Sequence, residues 1–276
     1  MAPNPIAALH AGSGEPVLLI HPFMLSPHVW IDVADKLSDE FEVFAPALSG
    51  HWGGDPRDRW SVVAETLADR LEQQLDELGW DTCHIVGNSL GGWVSLELAK
   101  RGRARSVTAI APAGGWGRVS VAKVEIAAKF LPLGPLGAIG RLAGSPLTSN
   151  RLIHRLVLPL VSKNVGAVPR ERATEMVTAA SYAAVSGYLP LLIGGLTAHG
   201  LTGLEELDIP VRLLLCDPDR IIPAKRFGKF FLQHLPAGSD FITMHGIGHV
   251  PMLEDPDRVA LAISEHVRAS SLRVAV

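Results

Sequence analysis

At 276 residues, with 47% hydrophobic and 19% charged side chains, the chain has the composition of a globular protein with a substantial core, as one large domain or one domain with a sizeable insertion. Its formal net charge of −3 gives no reason to expect nucleic acid or an anionic membrane as a partner, and no run of about 18 apolar residues predicts a membrane span. Cys83 and Cys216 each fall in a predicted strand, as small core residues and not a disulfide framework, and Met1-Ala2-Pro3-Asn4-Pro5 lacks a signal-peptide pattern, so a cytoplasmic location is expected.

Val17-Leu18-Leu19-Ile20 is a continuous apolar run, the mark of a strand buried on both faces. It ends at His21-Pro22-Phe23-Met24, and a helix start is predicted near Ser26-Pro27. A second strand, Glu42–Ala45, runs into Pro46-Ala47-Leu48-Ser49-Gly50-His51-Trp52-Gly53-Gly54-Asp55, rich in turn formers. From Trp60 to Leu78 the residues Val63, Leu67, Leu71, Leu75 and Leu78 recur at helical spacing, with Gly79 closing the segment.

The next strand, Cys83–Val86, stops at Gly87, and a helical pattern begins at Trp93. Between them Gly87-Asn88-Ser89-Leu90-Gly91-Gly92 reads as a tight turn with Ser89 at its apex. Small residues are required on either side because side chains at Gly87 and Gly91 would strike the neighbouring strand and helix. Such a turn presents the serine hydroxyl at the carboxyl end of a sheet, beside the positive end of a helix. Ser106–Ala111 is the following strand, ended by Pro112-Ala113-Gly114-Gly115. This strand–helix alternation predicts a mostly parallel sheet whose ligand site lies beyond the strand ends, where His21, the His51 loop, Ser89 and Pro112 gather.

After Trp116 the rhythm changes. Helices are predicted at Val121–Leu131, roughly Leu136–Leu142, Asn150–Val161, Arg170–Gly187 and Tyr188–Leu196, separated by turns such as Leu133-Gly134-Pro135 and Gly144-Ser145-Pro146. The expected division is a core of residues 1–116 and 204–276 with a helical cap at 117–203. The cap carries nine Lys/Arg against three Asp/Glu, a balance that suits acidic substrates or, more simply, a solvated outer face. Its apolar residues (Ile126, Phe130, Leu131, Leu133, Ile139, Leu142, Leu156, Leu158, Leu160, Met176, Tyr188, Leu191 and Leu192) are candidates to line an apolar pocket, or else to form the cap's own core.

Two more strands follow, Val211–Cys216 and Phe241–Met244. The first leads into Asp217-Pro218-Asp219-Arg220-Ile221-Ile222-Pro223, the second into His245-Gly246-Ile247-Gly248-His249-Val250-Pro251. Both loops emerge on the side of Ser89, so the chain order is serine, acid, histidine.

From about residue 15 to 270 the chain resembles the α/β-hydrolase fold family, in its subgroup with a helical cap. Four motifs carry the resemblance: the His21-Pro22-Phe23 turn, Gly87-Asn88-Ser89-Leu90-Gly91, Asp217-Pro218-Asp219-Arg220-Ile221-Ile222-Pro223, and Gly248-His249-Val250-Pro251. It implies an α/β fold with a mostly parallel central sheet flanked by helices, and a catalytic triad of Ser89, Asp219 and His249. The family pattern sets the acid two residues before Ile-Ile-Pro, which selects Asp219 over Asp217, while loop position and motif select His249 over His245. The oxyanion hole is expected from the backbone N–H groups of Phe23 and Leu90, with Pro22 where the family usually has glycine. His84 and His51 are read as structural.

A serine nucleophile predicts acyl transfer to water, with carboxylic esters or lactones of small to medium size and apolar character as substrates. Haloalkane dehalogenases and epoxide hydrolases of this fold use aspartate at that position and are disfavoured. Carbon–carbon bond hydrolases of ring-fission diketones share a Gly-Asn-Ser elbow but usually have a tryptophan after the histidine, where this chain has Val250. A non-catalytic receptor is the other alternative, and the complete triad argues against it. No cofactor, metal or nucleic acid is expected; the oligomeric state is not encoded in any motif.

Overall fold

The computed structural model describes residues 3–56, 64–116, 120–186 and 199–274. Its sheet has seven strands: β1 (Ala8–Ala11), β2 (Glu15–Ile20), β3 (Phe41–Pro46), β4 (Cys83–Asn88), β5 (Ala104–Ile110), β6 (Val211–Asp217) and β7 (Asp240–His245). They lie in the order β1-β3-β2-β4-β5-β6-β7, with β1 antiparallel to β3 and the remaining pairs parallel. All six strands predicted from sequence are present. β1 was not predicted: four residues with no apolar run carry no strand signal, and pairing of Leu9 with Ala45 at the sheet edge supplies what local pattern does not.

The continuous apolar runs are buried on both faces, as their composition demands. Leu18 and Ile20 pack on one side with Leu67, Leu71 and Leu75 of α2 (Ala64–Glu77) and with Val94 and Leu98 of α3 (Leu90–Lys100). Val17 and Leu19 pack on the other with Val33 and Leu37 of α1 (Ile31–Leu37) and with Val259, Ile263 and Val267 of the C-terminal helix Pro256–Val274. Cys83 belongs to the first layer and Cys216 to the second, so the sheet separates them and both thiols are free. Burial pushes the Cys83 thiol up to about 12, which leaves it a small apolar residue in practice.

Register brings the strand ends level. Ile20 pairs with Gly87, Asn88 with Ile110, Ile110 with Leu214, and Asp217 with His245. The loops that follow β2, β4, β6 and β7 therefore leave from one edge.

Between β5 and β6 the described chain is helical: α4 (Val121–Phe130), α5 (Leu133–Ala143), α6 (Ser145–Thr148), α7 (Arg151–Val161) and α8 (Arg170–Ser186). Leu133-Gly134-Pro135, expected as a turn, is instead the start of α5. Pro135 falls in the first turn, where a helix has no use for the missing N–H. Gly144 does break the chain, at φ +66°, before the short α6. Asn150, expected as the first residue of a helix, is the N-cap of α7, its side chain accepting from the Leu152 N–H. The predicted helix Tyr188–Leu196 lies outside the described residues, as do Trp60 and Val63. The chain returns to the core beside its point of departure, where Leu201 N–H donates to Gly114 O at 2.9 Å.

His28 shows how tightly the N-terminal segment is held. Its Nε2–H donates to Asn4 O (3.1 Å), its Nδ1 accepts from Ser26 Oγ (2.9 Å), and its ring stacks on Trp52 at 4.7 Å. Burial lowers its pKa from 6.5 to about 4. Between those values the unfolded chain binds a proton that the folded chain refuses, so stability is full above pH 6.5 and falls as pH drops towards 4. Urea unfolding should accordingly give a free energy lower at pH 5 than at pH 7, with His28 contributing about 1–2 kcal/mol of the loss, and His28→Gln should flatten that slope.

Candidate active site

Ser89 sits at φ 56°, ψ −112°, between β4 and α3, a conformation L-residues avoid. The surrounding backbone over-determines it. Ser89 N–H donates to Ile110 O (2.9 Å), and Ser89 O accepts from Ala113 (2.9 Å) and Trp93 (3.1 Å). A Cβ on Gly91 would lie 2.2 Å from Ile20 O, and one on Gly87 would lie 2.1 Å from Gly91 O. The small residues flanking the serine are thus demanded by backbone meeting backbone.

Asp219 and His249 meet. His249 Nδ1–H donates to Asp219 Oδ2 at 2.6 Å, and both side chains are buried. Asp219 Oδ1 accepts the N–H groups of Ile221 (2.8 Å) and Ile222 (2.7 Å), so the carboxylate is fixed before the imidazole is added. With Nδ1 donating, Nε2 is the lone-pair nitrogen. Asp217 and His245 form a separate pair at 3.3 Å on the surface, where His245 is 76% exposed and neither residue lines the cavity described below.

Asn88, quoted in the elbow motif but given no role from sequence, ties the parts together. Its Nδ2 donates to Ile110 O and to His249 O, each at 3.0 Å. A side chain one residue before the serine thus holds the backbone of the histidine. His21 does similar work on the turn after β2. Its Nε2 accepts the Leu48 N–H (2.9 Å), which leaves Nδ1–H to donate to Pro22 O (2.9 Å). Burial, reinforced by neighbouring His51, holds its pKa well below the usual value, so this bridge stays neutral. The carbonyl before Phe23 is pinned, and the Phe23 ring packs edge-on against His51 and Phe130. Leu90 opens α3, so its N–H has no partner one turn back within the helix. His84 bonds Ser106 Oγ through Nδ1 at 2.8 Å, inside the sheet and away from the cavity.

Ser89 and His249 face one cavity of about 340 Å³, walled by Pro22, Phe23 and Met24 of the β2 turn, by Ile221 and Val250, and by residues of α4, α5, α7 and α8. Of the pocket residues expected from sequence, Phe130, Leu133, Ile139, Leu156, Leu160 and Met176 line it. Four do not. Leu131 and Leu142 point to solvent, Leu158 packs in the layer that holds Val168 and Val250, and Ile126 packs against the opposite layer. Helical periodicity marks an apolar face without saying what will cover it. Tyr188, Leu191 and Leu192 lie outside the described residues. Among the described lining residues none is Lys, Arg, Asp or Glu, so the basic balance of the insertion offers no cation to a bound acid.

A model of the alpha/beta hydrolase family matches residues 17–262. The chain belongs to that family. The hydrolase is 45% identical over 219 residues to the epoxide hydrolase EphH of Mycobacterium tuberculosis, covering 76% of this chain and 100% of that protein. Among solved structures it resembles a thermophilic esterase of Thermogutta terrifontis (TM-score 0.75, 25% identity, 96% of this chain and 93% of that one). It also shares its fold with a meta-cleavage product hydrolase of Pseudomonas fluorescens (TM-score 0.72, 18% identity, 95% and 94%).

The helical insertion of this hydrolase is bonded directly to the loops that carry Asp219 and His249. Lys129 Nζ donates to Ile221 O (2.9 Å), Arg220 Nη1 to Pro159 O (2.7 Å), and Val250 N–H to Val161 O (2.9 Å). Glu254 is the densest link: its carboxylate accepts the N–H groups of Lys163 (2.9 Å), Asn164 (2.6 Å) and Gly248 (2.7 Å). A Cβ on Gly248 would come within 2.6 Å of Val161 O, which explains the glycine just before His249. Glu254→Ala leaves three donors without their acceptor and should cost about 1–3 kcal/mol in urea unfolding, with Glu254→Gln falling between it and the wild type.

Proposed function

We propose that this hydrolase cleaves carboxylic esters or lactones of small to medium apolar substrates through an acyl-enzyme on Ser89. The observation that carries the reading is the buried Asp219–His249 pair beside a strained serine on the wall of an uncharged cavity. In this reading residues 117–203 are a cap over a core of 1–116 and 204–276, and the cap supplies most of the apolar wall.

His249 Nε2 takes the Ser89 hydroxyl proton as Oγ attacks the carbonyl carbon, and Asp219 stabilises the imidazolium that results. The developing oxyanion is received by the N–H groups of Phe23 and Leu90, worth roughly 3 kcal/mol each in a site of this kind. Collapse breaks the ester C–O bond, and the alkoxide leaves with the proton from His249. Water then gives a proton to His249, attacks the acyl carbon, and releases the acid as Ser89 recovers its hydrogen.

The likeness to an epoxide hydrolase favours a second reading, ring opening of an epoxide. Chemistry separates the two. Attack of a serine oxygen on an epoxide carbon forms an ether, which the same water cannot hydrolyse, whereas attack on an ester forms an acyl-enzyme that it can. Serine at the elbow therefore supports the ester.

Hydrolysis of a p-nitrophenyl ester series from acetate to laurate is the test. Ser89→Ala should reduce kcat by at least about 10³-fold with the fold retained. Asp219→Asn should lose about 10²–10⁴-fold, far more than Asp217→Asn. Turnover of a terminal epoxide that survives Ser89→Ala, with no ester hydrolysis, would overturn the assignment.

A further inference from the structure

Most of the large apolar side chains left in solvent among the described residues belong to the helical insertion. Leu131, Leu136, Ile139, Leu142, Leu152 and Leu156 all project outward, with Leu142 89% and Leu156 74% exposed. Leu136, Ile139 and Leu156 also line the cavity that holds Ser89, so exposed apolar surface of α5 and α7 meets at the cavity mouth. Leu142 lies one turn beyond Ile139 on α5, and Leu152 one turn before Leu156 on α7, extending the apolar surface away from the opening.

The charge on this face has one sign. From Ile126 to Arg170 the sequence contains no Asp or Glu, although the whole chain is net acidic. Arg141, Arg151 and Arg155 are exposed beside the leucines, and no carboxylate among the described residues pairs with Arg151 or Arg155. Isolated exposed leucines need no explanation, but exposed apolar side chains gathered at a cavity mouth, with arginines on the same helices, do.

We infer that this face docks on an anionic phospholipid surface, with the mouth of the cavity turned towards the lipid. Headgroup phosphates satisfy the arginines while the acyl region covers the leucines, the combination that interfacial helices use. A second copy of the chain would cover the leucines but set arginine against arginine across a two-fold axis. No described helix is long and apolar enough to cross a membrane, so the contact is one of lying on the surface. The docking rests on surface composition alone. Its consequence, that an apolar ester reaches Ser89 from the lipid phase, rests on the function proposed above.

The test is cosedimentation of the full chain with phosphatidylcholine vesicles containing about one-third phosphatidylglycerol, against vesicles of phosphatidylcholine alone. The wild type should sediment with the anionic vesicles only, and less as salt rises from about 0.1 M to 0.5 M. Arg151→Glu with Arg155→Glu, and separately Leu142→Ser with Leu152→Ser, should each weaken binding by about tenfold or more while circular dichroism and melting stay as in the wild type. None of these four residues lines the cavity, and the readout does not depend on hydrolysis, so failure here is distinct from failure of the esterase reading. Absence of binding to anionic vesicles, equal binding to both vesicle types, or unchanged binding by both variants would overturn the proposal. So would a dimer in sedimentation equilibrium that Leu142→Ser with Leu152→Ser dissolves while vesicles capture nothing, which would assign the face to a second copy.

Discussion

The structure depends on how closely the start of α3 is pressed against the ends of β2 and β4. Backbone meets backbone there at distances that leave no room for a Cβ on Gly87 or Gly91. That contact holds the carboxyl end of the sheet level and forces Ser89 into dihedrals it would not adopt alone. The strain is held by hydrogen bonds on both sides of the serine, to Ile110, Ala113 and Trp93. Asn88 extends the same arrangement to His249. The position of Ser89 relative to His249 is thus a property of the sheet edge, which is among the stiffest parts of such a fold.

Against this rigid edge stands an insertion that is neither a separate body nor a loose flap. It is bonded to the loop of Asp219 through Lys129 and Pro159, to the loop of His249 through Val161 and Glu254, and to α1 through the two-pronged Arg172–Asp32 pair. Most of these links use backbone groups, so they survive changes of side chain along the helices. Residues facing the cavity can therefore vary in size and alter which ligand fits while the loops of Asp219 and His249 keep their anchors. The shape of the cavity and the placement of Ser89, Asp219 and His249 are separable in this design.

Much of this was legible in the sequence, for physical reasons that also mark where legibility stopped. Continuous apolar runs such as Val17–Ile20 predict strands buried on both faces because alternate residues must serve two layers, and they do. Gly87 and Gly91 announced a close approach because nothing else fits. β1 carries no signal of its own because an edge strand of four residues takes its conformation from its partner. The start of α5 is hidden in the sequence because Pro135 reads as a breaker, although a first turn accommodates it. At the site, residue types disclosed candidates but not the bonds between them. Glu254 and Asn88 look ordinary in the sequence, and only folding shows the one joining segments some 90 residues apart and the other reaching across 161. The pocket was half legible: periodicity finds apolar faces on α4, α5 and α7, but coverage decides which of them are wall and which are surface.

Coverage is also where the charge argument belongs. A formal net charge of −3 averages an acidic remainder with an insertion that has no carboxylate from Ile126 to Arg170, and that average conceals the segregation. Inside the cavity no charged side chain is described; outside its mouth arginines stand among exposed leucines. An enzyme drawing an apolar acid or alcohol substrate from water would gain nothing from such a rim, since the cations stop short of the reacting atoms. A rim of that composition acts on what surrounds the molecule, not on what it binds in the pocket. The same helices thus carry two chemistries, a cavity wall that selects by shape and, from its mouth outward, a rim that selects by surface charge.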